Sequence, residues 1–145
     1  MLDDCASSNY CTANPNSAGL VSRMAPEGSP VVSDNALELI ARDLPPERFG
    51  YFLFSASTDF VPLFGGGEGN LCLGAPIYRL SSAPSGEVGW SGSEGVISFM
   101  PDLDILPSGV VITPGDVWYF QCWFRDSGTG GPTSNTSDGI EILFR

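Results

Sequence analysis

The sequence predicts an all-β protein. The expected form is a two-sheet antiparallel β-sandwich, immunoglobulin/fibronectin-like or jelly-roll-like, with about eight or nine short, disulfide-stapled strands. Three observations carry this. Gly and Pro number 18 and 12, about a fifth of the chain against the usual ~12%, so turns interrupt it often. Strand-like segments recur at intervals of roughly 8–14 residues with turn chemistry between them, the spacing of a sandwich or barrel. No amphipathic pattern runs longer than about two helical turns. With 42% hydrophobic residues and nine Phe, one packed core is expected, hence a single module spanning 1–145.

In chain order, residues 1–17 form a polar, turn-rich arm tied down by cysteines. A strand is expected at 19–25, then a turn at Glu27-Gly28-Ser29-Pro30. In 35–43, Leu37, Leu39 and Ala41 alternate with Glu38, Ile40 and Arg42, and Leu44-Pro45-Pro46 ends the strand because proline cannot donate to a ladder. Residues 49–56 are apolar on both faces, which predicts a central strand covered on each side. The segment 60–75 reads as a loop; its run Gly65-Gly66-Gly67-Glu68-Gly69 lacks the Lys and following helix of a phosphate cradle. Further strands are expected at 77–81, 87–91, 95–100, 109–113, 117–126 and 139–145.

Seventeen acidic residues against six Arg, with no Lys and no His, set the net charge at −11. Without imidazole, Ser-His-Asp and Cys-His nucleophilic machinery cannot be built. Nucleic acid is not an expected partner, since its binding draws on Lys and Arg. No run approaches the ~18 apolar residues of a membrane span, so no membrane insertion is expected. Met1-Leu2-Asp3-Asp4 reads as the start of a mature segment or excised module. Cys5, Cys11, Cys72 and Cys122 form an even set without C-x-x-C spacing, which fits two disulfides in an exported protein.

The most informative strand is Val117–Asp126. Its parity puts Trp118, Phe120, Cys122 and Phe124 on one apolar face and Val117, Tyr119, Gln121, Trp123 and Arg125 on the other. The second face interleaves flat rings with hydrogen-bonding heads, the combination that recognises sugars: rings stack on C–H faces while polar groups bond hydroxyls. The competing expectation is that Tyr119 and Trp123 cover a second layer while Arg125 snorkels outward. Trp90, between small residues, is either a supplementary stacking platform or a core plug. Asp102, Asp104, Asp126 and Asp138 lie in turn-like segments and are the candidate calcium ligands; calcium is the only cofactor the sequence brings into consideration. No local pattern singles out a pair of glycosidase carboxylates, and a non-enzymatic role is expected. Asn135-Thr136-Ser137 matches the glycosylation acceptor pattern.

The ordered set Asn9-Tyr10-Cys11, Asn16-Ser17-x-Gly19, Leu44-Pro45, Phe49-Gly50-Tyr51-Phe52 and Gly69-Asn70-Leu71-Cys72-Leu73-Gly74 continues C-terminally. There follow Pro114-Gly115-x-x-Trp118-x-Phe120-Gln121-x-Trp123-x-Arg125-Asp126 and Thr133-Ser134-Asn135-x-Ser137-Asp138-Gly139. Together they resemble modules near the C-termini of large secreted proteins of planctomycete-like bacteria. The resemblance covers about residues 9–144. It implies a β-rich fold, export, and an accessory role beside a multidomain parent protein. It also implies a Cys11–Cys72 disulfide, which leaves Cys5 and Cys122 for a second bridge; Cys5–Cys11 with Cys72–Cys122 is the alternative. The function expected is therefore a secreted, non-catalytic module binding polysaccharide or another surface glycan. A ligand-free structural or surface-anchoring module and a calcium-stabilised adhesion domain are the alternatives.

Overall fold

The computed structural model describes Leu2, residues 6–82 and residues 88–145; the expected strand at 87–91 begins just outside that range, and Cys5 lies outside it. The described residues contain no α-helix and twelve strands: β1 (Ser7–Tyr10), β2 (Arg23–Met24), β3 (Glu27–Gly28), β4 (Leu37–Arg42), β5 (Phe49–Ser55), β6 (Thr58–Val61), β7 (Leu71–Leu73), β8 (Tyr78–Arg79), β9 (Gly89–Trp90), β10 (Ile97–Phe99), β11 (Val117–Gly128) and β12 (Gly131–Leu143). All pair antiparallel. The main sheet runs β1–β12–β11–β5, with β8 and β9 both along the outer edge of β5, and a smaller sheet runs β10–β4–β2.

The two sheets close over one apolar core, which is why the alternating pattern forms a sandwich. Phe52 and Phe54 of β5, Trp118, Phe120, Cys122 and Phe124 of β11, and Ile140 and Ile142 of β12 meet Leu37, Leu39 and Ala41 of β4, Met24 and Ile97. Each fully buried large side chain contributes roughly 1.5–3 kcal/mol. The exposed Arg23–Asp43 pair, at 3.2 Å, contributes about 0–1 kcal/mol. Apolar burial therefore outweighs ion pairing in holding the sheets together.

The hairpin β6–β7 adds a third layer on the outer face of the main sheet. Leu71 and Leu73 pack on Leu53 there, with Tyr51, Tyr119, Ile77 and Trp123 around them. Gly65 and Gly66, in the hairpin's loop, have φ of +63° and +79°, the left-handed region that glycine enters without a Cβ clash. The layer is pinned covalently by the Cys11–Cys72 disulfide. It is also pinned by a buried polar clamp. Gln121 Nε2 donates to Asn70 O (2.7 Å) and Ser137 O (2.8 Å), while Gln121 Oε1 accepts from the Cys72 amide at 2.9 Å. Thr136 Oγ1 donates to Asn70 O (2.9 Å) and the Tyr10 hydroxyl to Cys72 O (2.9 Å). Burial pushes the Tyr10 hydroxyl's pKa well up, with nearby Tyr119, Glu141 and Asp138 adding to the rise. A β-bulge opposite Cys122 turns the Ser137 carbonyl toward Gln121: Gln121 pairs with Gly139 but Trp123 with Thr136.

Several expectations need correction. The arm 1–17 contains β1, which pairs with β12 and covers an edge of the main sheet. Segment 60–75 keeps its expected loop at 62–70, but that loop joins the two strands of the β6–β7 hairpin, and 109–113 forms no strand. The final strand is nearly twice its expected length, because polar residues 131–138 pair with β11. Cys122 is a buried free thiol, with burial raising its pKa. The Cys11–Cys72 bond excludes the alternative pairing, and among the described residues Cys122 has no disulfide partner.

Candidate functional site

The register of β5 decides which side chains share the outer face beyond the hairpin. Gly50, Phe52 and Phe54 face the core, so Phe49, Tyr51 and Leu53 face outward. Cross-strand pairing then places Trp123 of β11 beside Tyr51, Arg79 of β8 beside Leu53, and Trp90 of β9 beside Phe49. Strands far apart in sequence thus deliver four rings and two guanidiniums to one surface.

The geometry is a row. Tyr51 and Trp123 stack with centroids 5.1 Å apart and planes 29° from parallel. Arg79 lies over Tyr51 at 5.3 Å, and Arg125 over Trp123 at 4.9 Å. Phe49 and Trp90 extend the row as a second ring pair, 4.7 Å between centroids and tilted by 57°; Phe49 sits two residues from Tyr51, about 7 Å along the strand. Both are about half exposed, at 56% and 49%.

A cleft of about 380 Å³ opens over the Tyr51–Trp123 end, floored by Leu53, Leu71 and Ile77 and walled by Phe64, Gly65 and Ser134. Both arginines line it, and among the described residues no Asp or Glu does. Both are exposed. Arg48, by contrast, bonds Ser127 Oγ at 3.1 Å. An apolar floor, a flat stacked platform and two cationic heads can hold a ring-shaped polar ligand by stacking and charge-assisted hydrogen bonds.

The structure sorts the nominated residues. Trp123, Arg125 and Trp90 lie in or beside the row; Trp90 is a surface ring and not a core plug. Tyr119 shares the face but is half-buried against Tyr10, edge-on at 5.5 Å, and does not line the cleft. Gln121 is fully buried, and its head is consumed by the hairpin clamp, so it is not a ligand contact. Parity sent it to the right face; only the third layer shows that this part of the face is roofed. Tyr51, Phe49 and Arg79 were missed. The Phe49-Gly50-Tyr51 alternation was visible, but a strand apolar on both sides gave no sign that one end of its outer face lies open.

The calcium candidates do not converge. Among the described residues no three of His, Cys, Asp or Glu form a metal-binding group. Asp126 accepts from the Ser17 amide (3.0 Å) and the Ser127 amide (2.8 Å), and Asp138 accepts from the Met24 amide (2.7 Å) and Asn9 Nδ2 (3.1 Å). Asp102 accepts from Asn35 Nδ2 and the Asp104 amide, both at 3.0 Å, as a turn carboxylate does; Asp104 supplies that amide. Desolvation raises the Asp138 carboxyl's pKa against its hydrogen bonds. Asn135 of the acceptor pattern is buried, its amide nitrogen donating to Pro15 O at 3.2 Å, so in the folded chain it offers no glycan attachment point.

No family model matches the chain, and neither a curated protein nor a solved structure matches it. Fold and cleft define an all-β sandwich with an open aromatic–arginine face.

Proposed function

We propose that this chain is a secreted, non-catalytic accessory module that binds polysaccharide or another surface glycan through the row Trp90–Phe49–Tyr51–Trp123. The observation that carries the reading is the stacked, partly exposed Tyr51–Trp123 pair lining a cleft on a rigid sheet. Two ring pairs along one strand present stacking surfaces to successive sugar units, each contact weak and additive along the polymer. A glycosidase needs two carboxylates facing each other across roughly 5–10 Å, and the described residues that line the cleft include none, which supports binding without turnover. The Cys11–Cys72 bond supports an oxidising, extracellular location.

The test is retention of the protein on a panel of insoluble and gel-embedded polysaccharides. Wild type is expected to be held by at least one, Trp123→Ala and Tyr51→Ala to run free, and Trp90→Ala to be weakened. Absence of retention on every glycan would overturn the reading in favour of a ligand-free structural module.

A further inference from the structure

Resting on that reading, we infer that the ligand is an acidic glycan whose carboxylate or sulfate groups are gripped by Arg79 and Arg125. The argument starts from charge scarcity. The chain carries 17 acids and only six cations, yet two of those cations line one cleft that no Asp or Glu among the described residues lines. Neither has an ion-pair or hydrogen-bond partner among the described residues. Their guanidiniums are held by rings instead, Arg79 over Tyr51 at 5.3 Å and Arg125 over Trp123 at 4.9 Å. A cation–π contact does not consume the N–H donors of a guanidinium, which remain available for a bidentate anion.

The net charge of −11 opposes any polyanion at long range, but at physiological salt charges beyond about 8 Å are largely screened. Only the local set then matters, and among the described lining residues it is purely cationic. Glu68 is the acid to weigh against this. It is exposed, and its carboxylate lies near Gly128, beyond Arg125 along β11 and outside the lining. A neutral sugar would use the rings and leave both guanidinium edges without an anionic partner. An acidic one uses both, with the sugar against the exposed edges of the Tyr51–Trp123 stack and an anionic substituent at the guanidinium on either side of that stack.

The experiment measures affinity of wild type, Arg79→Gln, Arg125→Gln and the double variant for four probes: polygalacturonate, its methyl-esterified form, dextran sulfate and dextran. Both sites are exposed, and matching melting temperatures verify folding. Wild type is expected to prefer each charged polymer to its neutral counterpart. Each Arg→Gln change is expected to weaken charged-polymer binding roughly tenfold, the size of one charge-assisted hydrogen bond. Which charged probe binds tighter distinguishes carboxylate from sulfate. Equal binding of charged and neutral partners, abolished by Trp123→Ala, would overturn the acidic-ligand inference and leave glycan binding standing. Binding of no probe here and no polysaccharide in the panel would overturn both. A double variant that holds charged polymers as wild type does would also overturn the inference.

Discussion

Replacing Gln121 with Met keeps the volume of the side chain and deletes its polar head. In the native fold that head bonds the Cys72 amide, the Asn70 carbonyl and the Ser137 carbonyl, with a longer contact to Cys72 Sγ at 3.4 Å. Asn70 O keeps the Thr136 hydroxyl and is not orphaned. The Cys72 amide and the Ser137 carbonyl lose their side-chain partner in a fully buried site. At about 1–3 kcal/mol for each unsatisfied buried group, Gln121→Met costs roughly 2–6 kcal/mol. For a domain near this size each kcal/mol lowers Tm by roughly 2–4 °C, so a fall of at least ~5 °C is expected. The assay is paired thermal and urea melts, with polysaccharide retention measured well below the lowered Tm. Retention should match wild type, because the Gln121 head lies beneath the hairpin. A Tm within ~2 °C of wild type, or a loss of retention at unchanged stability, would refute the assignment of Gln121 to the clamp.

Three further outcomes are expected. Replacing Cys11 and Cys72 by Ser opens a loop with a sequence separation of 61 residues and lowers stability by about 4 kcal/mol on the chain-entropy account; a urea midpoint unchanged from wild type would contradict this. A Cβ at Gly139 would sit 2.5 Å from the Tyr10 ring, so Gly139→Ala displaces that ring, disturbs its bond to Cys72 O, and costs ~1–3 kcal/mol by overpacking, read from the same melts. In carboxyl-carbon NMR, Asp138 should titrate above the ordinary Asp value of 3.8 and Asp116 below it, the first because burial disfavours its charge, the second because the Thr113 amide donates to it at 2.9 Å. The raised value means folded Asp138 binds its proton more readily than unfolded Asp138, so its contribution to stability improves as pH falls through the folded value toward 3.8. Asp116 contributes above 3.8 and loses that contribution as pH falls through its lowered value. Reversal of the two titration positions would contradict both environments.

The alternating and doubly apolar segments were legible because they report a local period. Leu37, Leu39 and Ala41 did face the core, as did Trp118, Phe120, Cys122 and Phe124. The polar half of β12 was not legible. Residues 131–138 carry no apolar alternation and form a strand because β11 supplies partners for their backbone groups. The hairpin β6–β7 escaped notice for a related reason: its four-residue first strand is exposed throughout, and its second is only Leu71–Leu73.

The same division holds for the site. Composition and period by themselves determined the class of fold, the core face of β11, the exclusion of imidazole chemistry, and the presence of aromatic rings beside an arginine. Only the tertiary structure decided which part of the outer face lies open. Parity places Tyr119, Gln121, Trp123 and Arg125 on one side with equal weight. The hairpin, fastened by Cys11–Cys72 and the Gln121 clamp, roofs the first two and leaves the last two at the cleft. Pairing of β5 with β8 and β9 then brings Arg79 and Trp90 to the same row from segments distant in sequence. A local period specifies the side of a strand on which a residue projects. What covers that side depends on chain segments far away, and no local pattern encodes it.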